Sequence, residues 1–303
     1  MRGWRGDGRG LLAVAVAVLL LAGCGGRTGA DTGAEFHRPL KILELAMTLD
    51  GYYGPQNVAV LMAANEGYFN DLGLYVSANT PLSPVRPIPY VVTGIDDIGI
   101  SHQPEVELTR REGAPIATLG PLVEGPTAAM IWLEKSKVGG IAGLEGKTIG
   151  IPGLAFQGRL LGRILARAGL TLGDVEVEKL GYDLVPALVA GRVDAIFGGS
   201  ANLEGVELEA RGMEPVITPV ESLGVPSYDE LVVIARDDLV EEEPDLVRDF
   251  MSALYRGSAA AVEDPRAALE AIEASTNPNP DIGRRALRAE LDATLPLLAQ
   301  GAS

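Results

Sequence analysis

One cysteine, Cys24, and two histidines, His37 and His102, are all that 303 residues offer of the side chains that most often cross-link chains or ligate transition metals. A single cysteine excludes an intrachain disulfide, so the folded body must be held by burial. Two isolated histidines leave no zinc-type ligand set. Aromatic residues are scarce, at 5%, which makes each one that falls beside a loop informative. Positive charge is short as well: 25 Lys and Arg stand against 41 Asp and Glu, a net −16. That balance excludes a nucleic-acid surface and electrostatic adsorption to anionic lipid. No internal repeat occurs, and HExxH, GxSxG and the Walker phosphate loop are all missing. Long apolar runs are absent too, with one exception at the N-terminus.

The exception is "LLAVAVAVLLLA", residues 11–22, preceded by Arg2, Arg5 and Arg9. It is too short to span a bilayer as a helix and reads as the apolar region of an export signal. It closes in "LAGC" at Cys24, a stretch that resembles the lipobox of bacterial lipoproteins. The resemblance implies removal of residues 1–23 and lipidation of Cys24, and two acyl chains are enough for stable anchoring. "GGRTGADTG" then makes residues 24–39 a flexible tether. Loss of residues 1–23, with three Arg and one Asp, takes the formal charge from −16 to −18. The expectation is an extracytoplasmic, monomeric body tethered to the outer face of the cell membrane.

Behind the tether, strand and helix patterns alternate. "LKILELAM" (40–47), "DDIGIS" (96–101), "KTIGIPG" (147–153), "RVDAIFGG" (192–199) and "DELVVIA" (229–235) read as strands. Residues 54–69 read as a helix opening with Pro55 and closing near Gly67; 157–169, 183–191 and 202–212 read as further helices. From 236 the chain turns helical, with Leu246, Val247, Phe250, Met251 and Leu254 on one stripe. This alternation predicts an α/β fold with mainly parallel sheets flanked by helices.

Several of these stretches resemble one family. "EGYFNDLGL", "DIGISHQPE", "LEGKTIGIPG", "GYDLVPALVAGRVDAIFGG" and "LGVPSYDELVVIARDD" are similar, in the family's order, to the SsuA/THI5-like substrate-binding proteins of ABC importers. Within it they are most similar to the branch that captures formylated aminopyrimidine precursors of thiamine. The resemblance implies a two-lobed periplasmic-binding-protein fold of type II with the ligand between the lobes. It implies lobe one at 40–127 and again at 222–303, lobe two at 128–221, and crossovers near 126–133 and 219–232. The family continues into a further helical segment beyond "LPLLAQGAS", so lobe one is expected to lack it. The implied partners are a small molecule, an ABC permease and its ATPase.

The candidate site residues follow the ends of the strands, where open α/β sheets bind ligands. Tyr52 and Tyr53 stand in the first loop, where the family places an aromatic and a histidine; Gln56 and Asn57 follow at a helix start. Gln103 matches the family's "QP" pair. Phe156 and Gln157 fill a loop in which anion binders offer small hydroxyl residues, and "GLAFQG" offers an apolar wall and one amide instead. "IFGGSANLEG" (196–205) carries Asn202 and Glu204 just past a strand, matching the Asn and Glu of the "NHE" motif of the pyrimidine-binding branch. Side-chain amides and carboxylates can meet an aminopyrimidine edge in two hydrogen bonds. Read alone, the stretch is equally a capping loop. Tyr228 is either a stacking face or a hinge-packing ring. Asp50 and Asp183 are weaker candidates. Other small-molecule ligands remain in view: a riboflavin-like ring, or an alkanesulfonate, taurine or nitrate. So does a role as an interaction lipoprotein with no ligand. An enzyme is the competing class, because pyrimidine-synthesising relatives use pyridoxal phosphate with a placed lysine and histidine; no catalytic residue, cofactor or metal is expected here.

Overall fold

Apolar runs that are buried on both faces fix the centre of each half of the molecule. In the computed structural model, which describes residues 43–276, 278–280 and 282–301, all six residues of the strand Ala128–Leu133 are buried. Alternate residues serve opposite faces: Ala128, Met130 and Trp132 enter one core, and Ala129, Ile131 and Leu133 enter another. The strand Leu231–Arg236 divides in the same way, with Leu231, Val233 and Ala235 in one cluster and Val232 and Ile234 in a second. Period-2 side-chain alternation turns such a continuous apolar run into a strand covered on both sides. Cys24, the export signal and the tether lie outside the described residues.

In chain order the first half comprises β1 (Leu43–Thr48), α1 (Val58–Asn65), α2 (Tyr68–Asp71), β2 (Leu74–Asn79), α3 (Pro87–Val92), β3 (Ile98–Ser101), α4 (Gln103–Arg111) and β4 (Ile116–Val123). The second comprises β5 (Ala128–Leu133), β6 (Thr148–Ile151), α5 (Ala155–Arg167), β7 (Glu176–Lys179), α6 (Leu184–Val189), β8 (Ala195–Ser200), α7 (Val206–Ala210) and β9 (Pro215–Pro219). The chain then returns through β10 (Leu231–Arg236), α8 (Asp237–Glu242), α9 (Pro244–Glu263), α10 (Pro265–Ala274) and α11 (Arg284–Thr294).

The strands form two five-stranded sheets with one topology, β2-β1-β3-β10-β4 and β7-β6-β8-β5-β9. In each, three strands are parallel and the strand arriving from the other half is antiparallel to both of its neighbours. β10 thus belongs to the first sheet although it follows the second. The two passages between sheets, β4 to β5 and β9 to β10, are bound together by one side chain. The Glu230 carboxylate accepts from the backbone N–H of Thr127 (2.7 Å) and of Ala128 (2.9 Å).

Two expected helices are interrupted. The 54–69 stretch is a 3-10 turn at Pro55–Asn57, then α1, then α2. Gly67, at φ 75°, takes the left-handed conformation that stops α1 and that glycine adopts without strain. The 202–212 stretch begins with a π-helical turn, Ala201–Gly205, before α7. There the Glu204 carboxylate folds back to accept from the Ser200 N–H at 2.6 Å, and wide turns of this kind are frequent at functional sites. Among the described residues no helix is long and apolar enough to cross a membrane.

Candidate functional site

The loops after β1 and β3 of the first sheet, and after β6, β7 and β8 of the second, open onto one cleft. Its volume is about 940 Å³, part of it open to solvent. Its rim includes Tyr52, His102, Tyr182, Glu204, Glu207 and Glu290, and no Lys or Arg is among the described residues that line it.

On the first-sheet side, backbone and side chains satisfy one another. Asp50 is buried and accepts from the amides of Gln56 and of Asn57, the latter at 3.2 Å. Burial pushes the Asp50 carboxyl up in pKa more than these amides and the charge of His102 pull it down. Asn57 also donates to Tyr52 O (2.9 Å) and accepts from Gly54 N–H (3.0 Å). Fully buried, it holds the shape of the Tyr52–Gln56 loop and does not line the cleft. Tyr53 borders the cleft, but its hydroxyl is committed to Ala78 O at 3.1 Å. Tyr52 faces Tyr182 across the opening, with ring centroids 5.4 Å apart and planes inclined at 51°. The Tyr182 hydroxyl donates to Asp50 O (3.0 Å) and so links the two halves.

His102 and Glu230 form the second polar centre, where the crossovers meet. His102 Nδ1 lies 2.9 Å from the Glu230 carboxylate. Burial works against the charged ring, but the Glu230 hydrogen bond and the charges of Glu230, Asp50 and Glu105 prevail and raise the His102 pKa. Burial likewise opposes the Glu230 charge, and the bond to His102 with the two backbone donors holds its carboxyl below the ordinary value. The two shifts agree on an ion pair. His102 lines the cleft; the sequence pattern marked it only as a helix start, because its partner lies 128 residues away.

The remaining expected residues divide between rim and support. Gln103 accepts from Asp229 N–H (2.7 Å) and donates to Glu107 (3.2 Å), fastening α4 to the second crossover. Gln157 is buried and accepts from the N–H groups of Gly153 and Leu154, both at 3.0 Å. The next N–H groups at this helix start, Ala155 (3.2 Å) and Phe156 (2.9 Å), donate to the carboxylate of Glu105 from the opposite half. The start of α5, which could cradle an anion, is therefore filled by the chain's own carboxylate. Phe156 packs beside His102, 6.1 Å between centroids. Tyr228 packs against the core that holds Met130 and Trp132, and among the described residues its buried hydroxyl has no partner. Gly198, at φ 82°, sits so close to Gln157 that a Cβ there would come within 2.6 Å of its amide nitrogen.

Asn202 and Glu204 differ from each other. Asn202 is buried and donates to Thr294 on α11 (2.8 Å), while its carbonyl oxygen has no partner among the described residues. It does not line the cleft. Glu204 does, and burial pushes its pKa up to about 7 against the Ser200 bond, with help from the charges of Glu207 and Glu230. Sequence patterns missed Tyr182, Glu207 and Glu290. Tyr182 stood in the "GYDLVPALV" motif beside Asp183, and Glu290 had no local signal at all.

This architecture is shared. Residues 54–268 match the model of the family described as NMT1/THI5 like. A protein named for thiamine biosynthesis from Haemophilus influenzae is 30% identical over 236 residues, covering 78% of this chain and 74% of that one. A formylaminopyrimidine-binding protein of Halalkalibacterium halodurans is 30% identical over 263 residues, covering 86% and 77%. At lower identity, 24% over 221 residues, stands a 4-amino-5-hydroxymethyl-2-methylpyrimidine phosphate synthase of Schizosaccharomyces pombe, with 70% and 63% covered. Among solved structures, the alkanesulfonate-binding protein SsuA from Xanthomonas axonopodis pv. citri bound to MOPS superposes with a TM-score of 0.66 at 17% identity, covering 85% of this chain and 84% of that one. That likeness shows the fold, a periplasmic-binding-protein fold. With the family model spanning most of both sheets and two relatives at 30% identity, the chain belongs to the NMT1/THI5-like family.

Proposed function

We propose that this protein is the extracytoplasmic binding component of an ABC importer and that its ligand is a thiamine-related aminopyrimidine precursor. The observation that carries the reading is the chemistry of the cleft: an aromatic pair, Tyr52 and Tyr182, opposite carboxylates, with no Lys or Arg on the described rim. A flat heteroaromatic ring finds stacking area on the tyrosines. Its amino N–H groups find an acceptor in the Glu204 carboxylate, one oxygen of which takes the Ser200 N–H. A sulfonate or nitrate finds the opposite. The backbone donors at the start of α5 are spoken for by Glu105 and Gln157, and the rim is acidic. The formylaminopyrimidine-binding relative supports the same ligand class.

In this reading the two halves close over the ligand by rotation about the crossovers. Lobe one is 40–127 with 222–303 and lobe two is 128–221. Glu230 keeps the crossovers in register during the motion, and Tyr182 with Glu105 supplies cross-cleft bonds to the closed form. Lipidation of Cys24 holds the monomer beside its permease and ATPase. A synthase role finds less support, since pyridoxal phosphate chemistry needs a lysine at the reacting centre and no lysine is among the described rim residues.

A thermal-shift panel tests the proposal. Formylaminopyrimidine at a hundred times its Kd is expected to stabilise the body by about 2.7 kcal/mol. Stabilisation by taurine, an alkanesulfonate or nitrate with none by the pyrimidine would overturn it, and a response to riboflavin alone would move the site to a larger ring.

A further inference from the structure

Helix α11 comes from the C-terminal part of the chain yet packs against elements of both halves. It touches the 3-10 turn Pro55–Asn57 on one side and the π-turn Ala201–Gly205 with α7 on the other. The Asn202–Thr294 hydrogen bond fixes its far end. This brings Leu287 and Glu290, one turn apart on one helical face, to the wall of the cleft. Glu290 is only 5% exposed, and its carboxylate makes no hydrogen bond or ion pair among the described residues. A buried carboxylate without a partner is costly when ionised. The chain elsewhere avoids that state: Glu230 has His102 and two N–H groups, Asp50 has two amides, and Glu207 is paired with Arg211 at 2.5 Å. The described residues also hold no cluster arranged to ligate a metal ion.

We propose that Glu290 is a specificity-determining residue of the cleft, which with Glu204 selects ligands presenting a cationic or doubly N–H-donating edge and rejects anions. The inference rests on the cleft being a small-molecule site, as proposed above, but not on which ring it holds. The charges that bear on Glu290 are those of Glu204 on the π-turn and of Glu207 on α7, the latter paired with Arg211. Burial and the charges of these two push the Glu290 pKa up to about 9. A protonated carboxyl keeps the empty cleft tolerable. An incoming amidine-type edge supplies the missing positive charge, and the proton leaves Glu290 for solvent or for a basic ring nitrogen of the ligand. The Tyr52–Tyr182 pair meanwhile takes the face of the ring. Glu290 thus spends stability of the empty protein on discrimination, a trade common at binding sites.

Three probes with one ring separate charge from shape: benzamidine, benzamide and benzenesulfonate, titrated calorimetrically into the full-length protein at pH 8. The wild-type protein is expected to prefer benzamidine to benzenesulfonate by at least about tenfold, and Glu290→Gln to lose about ten- to a hundredfold for benzamidine while benzamide changes little. In parallel, Glu290→Leu without ligand is expected to melt higher than wild type at pH 8, which a merely structural role for Glu290 would not produce. Equal preference in wild type and Glu290→Gln would overturn the proposal, as would a lower melting temperature for Glu290→Leu. A Glu290-dependent preference for benzamidine in a protein that ignores formylaminopyrimidine would leave this inference standing and remove the pyrimidine reading. Binding of formylaminopyrimidine with no Glu290 dependence for either compound would do the reverse.

Discussion

Two carboxylates, one between the crossovers and one on the cleft wall, have nearly the same burial and opposite circumstances. Glu230, between the crossovers, is 4% exposed and takes donors from His102, Thr127 and Ala128. Glu290, on the α11 wall, is 5% exposed and takes none among the described residues. The pKa of the first is held down and that of the second is pushed up to about 9. Asp50 and Glu204 lie between, with two amide donors and one backbone N–H respectively, and both are raised. Burial alone therefore does not decide what an acidic side chain is for. Its complement of donors does: the carboxylate between the crossovers is satisfied within the chain, and the wall carboxylates are the ones with acceptor capacity to spare for the proposed ligand.

The sharpest way to break this contrast is to remove the hinge carboxylate. Glu230→Ala strips a buried ion pair and leaves two backbone N–H groups without acceptors, so it is expected to cost about 3–5 kcal/mol in denaturant unfolding. A loss under about 1 kcal/mol would mean that the crossovers are held by something else. The wall is tested by pH. Glu204 and Glu290 keep protons in the folded state that ordinary carboxyls release near 4.5, so their contribution is fully present below that pH. It is lost as the pH rises through about 7 for Glu204 and about 9 for Glu290. Asp50 and His102, also raised, act in the same direction. Each group contributes at most about 1.4 kcal/mol per pH unit, and unfolding measured at pH 5, 7 and 9 should show a continuous decline. A stability that climbs over this range would contradict the placement of these acids.

Smaller effects sharpen the middle of the series. Asp50→Ala removes the acceptor of the Gln56 amide and one of the two acceptors of the buried Asn57 amide, a loss of about 1–3 kcal/mol in the unliganded protein. Since the Tyr52 loop hangs on Asn57, ligand affinity should fall with it. Tyr182→Phe removes one cross-cleft hydrogen bond, about 1 kcal/mol. It should show less in the melting temperature than in the radius of gyration of the unliganded protein, which should rise as the halves separate. An unchanged scattering profile would make that bond incidental to closure.

How much of this could be read from the sequence depends on the range of the signal. β1, β3, β6, β8 and β10 were legible because period and punctuation are local, and each observed strand begins within three residues of its pattern. β2 and β7 were not, since "LYVSAN" and "EVEK" are polar edge strands whose exposure blurs the pattern. Within the site, Glu204 was legible through its motif, and the same motif drew attention to Asn202, whose amide is turned to α11 instead of lining the cleft. The Gln103 and Gln157 amides stand at helix starts, and both are taken up by backbone N–H groups, Gln103 by that of Asp229 and Gln157 by those of Gly153 and Leu154. Glu290 and the His102–Glu230 pair had no such trace. Their meaning arises from contacts between segments about a hundred residues apart, and no periodicity encodes those.

Whether the wall carboxylates meet the ligand's amino edge decides between a pyrimidine site and an anion site. Calorimetric titration of formylaminopyrimidine into the wild-type protein, Glu204→Gln and Glu204→Ala tests it most directly. The expected result is binding by the wild type, a loss of about 1.5–3 kcal/mol in Glu204→Ala and a smaller one in Glu204→Gln, which keeps one acceptor in place. Equal affinity in all three proteins, or binding of an alkanesulfonate in preference to the pyrimidine, would contradict it.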